Sequence, residues 1–180
     1  MGGKMTAVKK KICLIGSFAV SKTSLIERFV YNRYDEKYLT TIGVKISQKV
    51  LAPIEDPQSG KMIQHTFLIW DIAGLEKFGG VVKNYFRGAA GALAVADLTR
   101  PETIAHLSEF CQRFKTESPH AFLVILGNKL DIFNEDKKTL SDLNKVADRN
   151  ATECLLTSAK TGKHVNEAFS TLSLKIGSIK

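Results

Sequence analysis

From Lys9 to Asn32 the chain reads KKKICLIGSFAVSKTSLIERFVYN. KKKICLIG is a short apolar run closed by a glycine, the pattern of a buried strand feeding a loop. KTSLIERFVYN carries Leu25, Ile26 and Phe29, then Val30, at helical spacing. The eight residues between and across them, GSFAVSKT, nearly match the phosphate-binding pattern G-x-x-x-x-G-K-[ST], and they lie between a strand and a helix as that pattern requires. One letter departs: Ser21 stands where the second glycine belongs.

The rest of the chain repeats the alternation. VKISQKVLA and MIQHTFLIW alternate as strands and are joined by PIEDPQSGK, turn material that makes a hairpin with a long connection. GALAVADLT, AFLVILGN and TECLLTSA are buried-type strands. Helical stretches run from about Pro101 to Thr116, from about Leu140 to Asn150, and from His164 to the end. This order predicts an α/β three-layer sandwich with a mostly parallel six-stranded sheet covered on both faces. A length of 180 residues fits one such domain over residues 1–180.

Composition narrows the function classes. Hydrophobic residues make up 44% and charged residues 24%, the balance of an ordinary globular protein. No apolar run approaches the roughly 20 residues that span a bilayer. The net charge of +8 comes from dispersed lysines, with one cluster at Lys9, Lys10 and Lys11. No basic helix carries interleaved aromatics, so a nucleic-acid partner is not expected. Cys13, Cys111 and Cys154 lack metal-ligand spacing, which suits free thiols in a reducing, cytoplasmic setting.

Four short stretches carry the chemistry. In the first, Ser17, Phe18, Ala19, Val20 and Ser21 would offer loop amides to phosphate, and Ser24 follows in the helix start. Lys22 would reach the β- and γ-phosphates and the Thr23 hydroxyl would hold Mg²⁺; the alternative is a surface lysine at a helix start. In WDIAG, Asp71 ends a buried strand and can hold Mg²⁺ through water or cap a helix. NKLD follows the strand AFLVILG: Asp131 can accept both the N1 and N2 donors of guanine, Asn128 can bond the base edge, and the Lys129 stem can cover its face. A plain polar loop is the alternative. In TSAK, formed by Thr157, Ser158, Ala159 and Lys160, the Ala159 amide could donate to guanine O6. All four follow strand ends, so they converge on one edge of the sheet, where α/β folds bind ligands.

Taken together, these stretches resemble the Ras superfamily of small GTPases, and the Rab branch most closely. The likeness spans essentially the whole chain: YLTTIGVKI resembles the first Rab switch, WDIAGLEKF the second, and YFRGAAGALAVADLT and LGNKLD continue in register. The resemblance implies GTP or GDP with Mg²⁺ as ligands, and protein effectors and exchange factors as partners. It further implies that Thr41 binds Mg²⁺ and senses the γ-phosphate, that the Gly74 amide meets the γ-phosphate, and that Tyr34 lies against guanine. Ile46, Trp70 and Tyr85 match three apolar positions that Rab proteins present to effectors; core packing is the alternative reading.

The departures bear on hydrolysis. The family places glutamine where Leu75 stands, and that glutamine orients the attacking water. Leucine has neither donor nor acceptor, so no confident catalytic residue remains. Phe18 stands where the family has a small residue, and its ring would crowd both the water and an arginine finger, a group worth about 10³ to 10⁵ in rate. Serine at position 21 would cost about 1–3 kcal/mol if the backbone there needs a glycine dihedral. NKLD and TSAK are intact. The expectation is a GTP-locked, Rab-like binding module in membrane traffic; an ordinary GTPase and a nucleotide-free interaction module are the alternatives. No cysteine follows Cys154 to carry the prenyl groups usual in Rab tails, so either the tail is truncated or prenylation is not used; MGGKMT fits a myristoylation pattern, and membrane association by lipidation is an expectation.

Overall fold

The computed structural model describes residues 5–35, 41–56, 60–73 and 82–177. Strand β1 (Thr6–Ile15) leads into helix α1 (Lys22–Tyr31). An antiparallel arm follows, β2 (Val44–Val50), β3 (Ile54–Glu55) and β4 (Met62–Ile72), then α2 (Val82–Phe86). The remaining units are β5 (Gly91–Asp97), α3 (Pro101–Glu117), β6 (Phe122–Asn128), α4 (Lys137–Arg149), β7 (Cys154–Leu156) and α5 (Val165–Gly177).

The strands form one sheet in the order β2-β4-β1-β5-β6-β7, with β3 paired to β4 outside that path. β4, β1, β5, β6 and β7 run parallel, and β2 and β3 run antiparallel to β4. The sheet therefore has seven strands where the sequence predicts six. The additional strand, Ile54–Glu55, pairs with Ile63 and Met62 of β4 and lies within PIEDPQSGK, whose prolines and glycine read as turn alone.

The pleat explains the layering. Cys13 and Ile15 of β1 face a core shared with Phe86 of α2, Leu107 and Phe114 of α3, and Leu143 and Val146 of α4. Ile12 and Leu14 face the other core, built with Leu25, Ile26 and Phe29 of α1 and with Phe169, Leu172 and Ile176 of α5. Phe29 and Phe169 stack with ring centroids 3.8 Å apart, fixing α1 against α5. Helix α4 begins three residues before the sequence limit because Asp136 caps it, accepting from Thr139 N at 2.8 Å and Thr139 Oγ1 at 2.6 Å. Among the described residues no helix is long and apolar enough to cross a membrane, and all three cysteines are free thiols.

Candidate nucleotide and cation site

The parallel strands β1, β4, β5 and β6 end at one edge of the sheet, and the loops that follow them build the site. Gly16 leaves β1 with φ of 147°; a Cβ there would lie 2.2 Å from Val95 O, so only glycine fits. Ala19 (φ 60°) and Ser21 (φ 74°, ψ 37°) are left-handed. Ser21 thus holds the dihedral that glycine adopts without cost, at about 1–2 kcal/mol for an L-residue. Its hydroxyl does not cap α1. Lys22 folds back over the loop, its Nζ donating to Gly16 O at 2.9 Å and Ser17 O at 2.8 Å. Val20 and Ser17 are buried, the Ser17 hydroxyl without a hydrogen-bond partner among the described residues, whereas Phe18 is half-buried.

Thr23, in the first turn of α1, points its hydroxyl at Asp71 near the end of β4. Thr23 Oγ1 lies 2.5 Å from Asp71 Oδ2 and 2.8 Å from Thr41 Oγ1, and Thr41 reaches the same carboxylate oxygen at 3.4 Å. Asp71 is 2% exposed, and among the described residues its other oxygen, Oδ1, has no hydrogen-bond partner. Burial pushes the Asp71 carboxyl above its ordinary value, opposed by the Thr23 bond, the charge of Lys22, the Thr41 bond and the charge of Lys45. An orphaned carboxylate oxygen flanked by two hydroxyls is a donor set that fits a hard cation such as Mg²⁺. Among the described residues the Asp71 side chain is bonded by threonine hydroxyls from α1 and from residue 41.

The second half of the site follows β6 and β7. Asp131 is exposed in a short 3-10 turn (Leu130–Ile132), and Ser158 Oγ donates to its Oδ1 at 2.6 Å. Ser158 also accepts from Thr161 N at 3.1 Å. Asn128 lies where two of these loops meet. It is fully buried, its Nδ2 donates to Val20 O at 3.1 Å, and its Oδ1 accepts from Thr157 Oγ1 and from Ala159 N. It therefore ties the loop after β1 to the TSAK loop. The Ala159 amide donates to Asn128 Oδ1 at 3.2 Å. Lys160 is exposed, and its carbonyl accepts from Arg28. Lys129 is left-handed (φ 67°) and pairs with Asp97 at 2.6 Å. Tyr34 is half-buried against the α1–α5 core. Gly74 and Leu75 lie outside the described residues.

Three further side chains, outside the four stretches, build this edge. Arg28 of α1 donates to Ala159 O at 3.0 Å and to Lys160 O, holding the TSAK loop. Asp97 ends β5, fully buried, and accepts from Lys129, Thr99 and Arg100. Arg100 reaches onward to Phe18 O at 2.8 Å. Only Asp97, an acid at a strand end like Asp71, offered a sequence clue.

Beside the site, Ile46 and Trp70 are directly opposed on β2 and β4, and Trp70 lies 6.4 Å from Tyr85. Ile46 is 54% exposed, while Trp70 and Tyr85 are half-buried against the core. Lys11 sits 3.9 Å over the Trp70 ring.

The sequence model described as "Ras family" matches residues 11–178, nearly the whole of this sheet and its loops. The chain belongs to the Ras family. Among curated proteins it is similar to human "Ras-related protein Rab-4B", 36% identical over 88% of this chain and 72% of that protein. It is also similar to human "Ras-related protein Rab-22A", 33% identical over 93% of this chain and 84% of that one. Human "Ras-related protein Rab-31" is 32% identical over 96% and 86%. This Ras family chain is therefore a Rab-like small GTPase by fold and sequence, a member of a class of GTP-binding switch proteins.

Proposed function

We propose that this chain binds a guanine nucleotide together with Mg²⁺ and acts as a slowly hydrolysing switch that presents Ile46, Trp70 and Tyr85 to protein effectors on membranes. The observation that carries the reading is the convergence of Thr23, Thr41 and the orphaned Asp71 oxygen beside a lysine-spanned loop. Thr23 and Asp71 would hold the cation, Thr41 would close the first switch over it, and Lys22 with the loop amides would hold the phosphates. Bound Mg²⁺ would supply charge neutralisation for the phosphate oxygens.

Selection of guanine would rest on Asp131, whose exposed carboxylate is oriented by Ser158. The seating of Thr41 against Thr23 supports a switch that is closed over the cation site. Leu75 and Phe18 support slow hydrolysis, the first by offering no group to orient water and the second by its bulk at the loop tip. Nucleotide extracted from the purified protein tests the reading: bound GTP supports it, bound GDP points to ordinary hydrolysis, and no nucleotide together with no Mg²⁺-dependent uptake of guanine nucleotide would overturn it.

A further inference from the structure

The loop at 16–21 holds two non-glycine residues, Ala19 and Ser21, in left-handed conformations. Such backbone persists only where surrounding contacts over-determine it. Three ties are visible. Lys22 binds the base of the loop through Gly16 O and Ser17 O, and Asn128 binds Val20 O at its far end. The tip, Phe18, is tied by Arg100 Nη2 at 2.8 Å.

Arg100 is itself held. Its Nε donates to Asp97 Oδ2 at 2.9 Å, and the same oxygen receives Lys129 Nζ at 2.6 Å. Asp97 Oδ1 is occupied by Thr99 N and Thr99 Oγ1. Burial opposes ionisation of Asp97, yet the bonds from Lys129, Thr99 and Arg100 keep its carboxyl below the usual carboxylate range. One buried anion thus carries the cation of the base-side loop and the cation that grips the phosphate-side loop. The planar fork of arginine is what lets one side chain bond the carboxylate and the Phe18 carbonyl together.

We infer that Arg100 is a positioning residue that clamps the tip of the phosphate loop to Asp97 and thereby sets how slowly bound nucleotide leaves. The inference rests on the nucleotide-binding reading above. Loss of the clamp frees the loop tip to leave its strained conformation, so the amides facing the phosphates lose alignment. Lys129 keeps its partner Asp97, and Asp131 keeps Ser158, so base selection is preserved.

The test uses Arg100→Gln and Arg100→Lys in the full chain, with fluorescent GDP and GTP as probes. Dissociation should accelerate about tenfold or more in Arg100→Gln, the scale of a lost charge-assisted hydrogen bond. Arg100→Lys should recover only part of this, because a single ammonium cannot bridge both partners in the arginine geometry. The preference for GTP over ITP should stay close to wild type in both variants, which a general loosening of the nucleotide site would not allow. Wild-type dissociation rates in Arg100→Gln would overturn the clamp alone. So would a loss of base preference equal to the loss of retention, or full recovery in Arg100→Lys. A wild-type protein that binds no guanine nucleotide would overturn both this inference and the reading beneath it.

Discussion

Replacing Asp71 by asparagine separates a cation site from a merely structural carboxylate, because the two roles predict opposite signs. Asp71 is 2% exposed, with two threonine hydroxyls on Oδ2 and, among the described residues, no partner on Oδ1. Leaving such an oxygen without a partner costs about 1–3 kcal/mol. Asparagine removes the charge and keeps one acceptor for Thr23 and Thr41, though their bonds weaken from charge-assisted to neutral. Without cation and nucleotide at neutral pH, Asp71→Asn should therefore be more stable by about 1 kcal/mol, a rise of about 2–4 °C in melting temperature for a chain of this size.

The pH dependence follows from the raised carboxyl. A folded-state pKa above the unfolded value means that the contribution of Asp71 is fully present below the unfolded pKa and is lost as pH rises through the folded one. The advantage of Asp71→Asn should accordingly vanish toward acid pH. With Mg²⁺ and GDP at about 100 times the dissociation constant, the wild type gains about 2.7 kcal/mol by linkage, and the variant should lose most of that gain. Thermal unfolding in chelator and in Mg²⁺–GDP, across pH, reads both signs. A variant that is less stable in chelator and keeps the full Mg²⁺-dependent shift would refute the cation assignment.

Ser21→Gly should relieve about 1–2 kcal/mol of left-handed strain, offset in part by about 0.4–1 kcal/mol of added unfolded-state freedom. The net expectation is a slightly higher melting temperature and slower nucleotide dissociation; a lower melting temperature would show that the serine side chain contributes more than its backbone costs. Asp131→Asn should weaken GTP at least about a hundredfold and shift preference toward xanthine nucleotides, since a paired acceptor becomes a donor. Equal competition by ATP and GTP in the wild type would contradict that assignment. Trp70→Ala should cost an effector bound by the GTP-loaded protein about 2 kcal/mol or more while leaving nucleotide affinity nearly unchanged. An unfolded variant, or one with intact effector affinity, would return Trp70 to a packing role.

The parts of the fold legible in sequence are those with a local signature. The apolar runs of β1, β5 and β6 and the spacing of Leu25, Ile26 and Phe29 each declare their element within a few residues. The five-residue α2 is too short for a helical period, and β3 depends on pairing with β4 across a turn. In the site, Lys22, Thr23, Asp71, Asp131 and Ser158 occupy positions whose order after strand ends can be read directly. Asn128 and Ala159 were found, but not that they bond each other, because that bond joins two loops 31 residues apart. Arg100 was invisible for the same reason: its carbonyl partner lies 82 residues away and carries no side-chain identity.

Single-turnover hydrolysis of preloaded GTP tests the proposed switch most directly, measured in the wild type, in Phe18→Gly, in Leu75→Gln and in the double variant. The two sites act on one transition state, so their effects should be non-additive. The expected result is negligible turnover in the wild type, little in either single variant and clear activity only in the double variant. Wild-type turnover as fast as that of the double variant would contradict the slow-switch proposal outright.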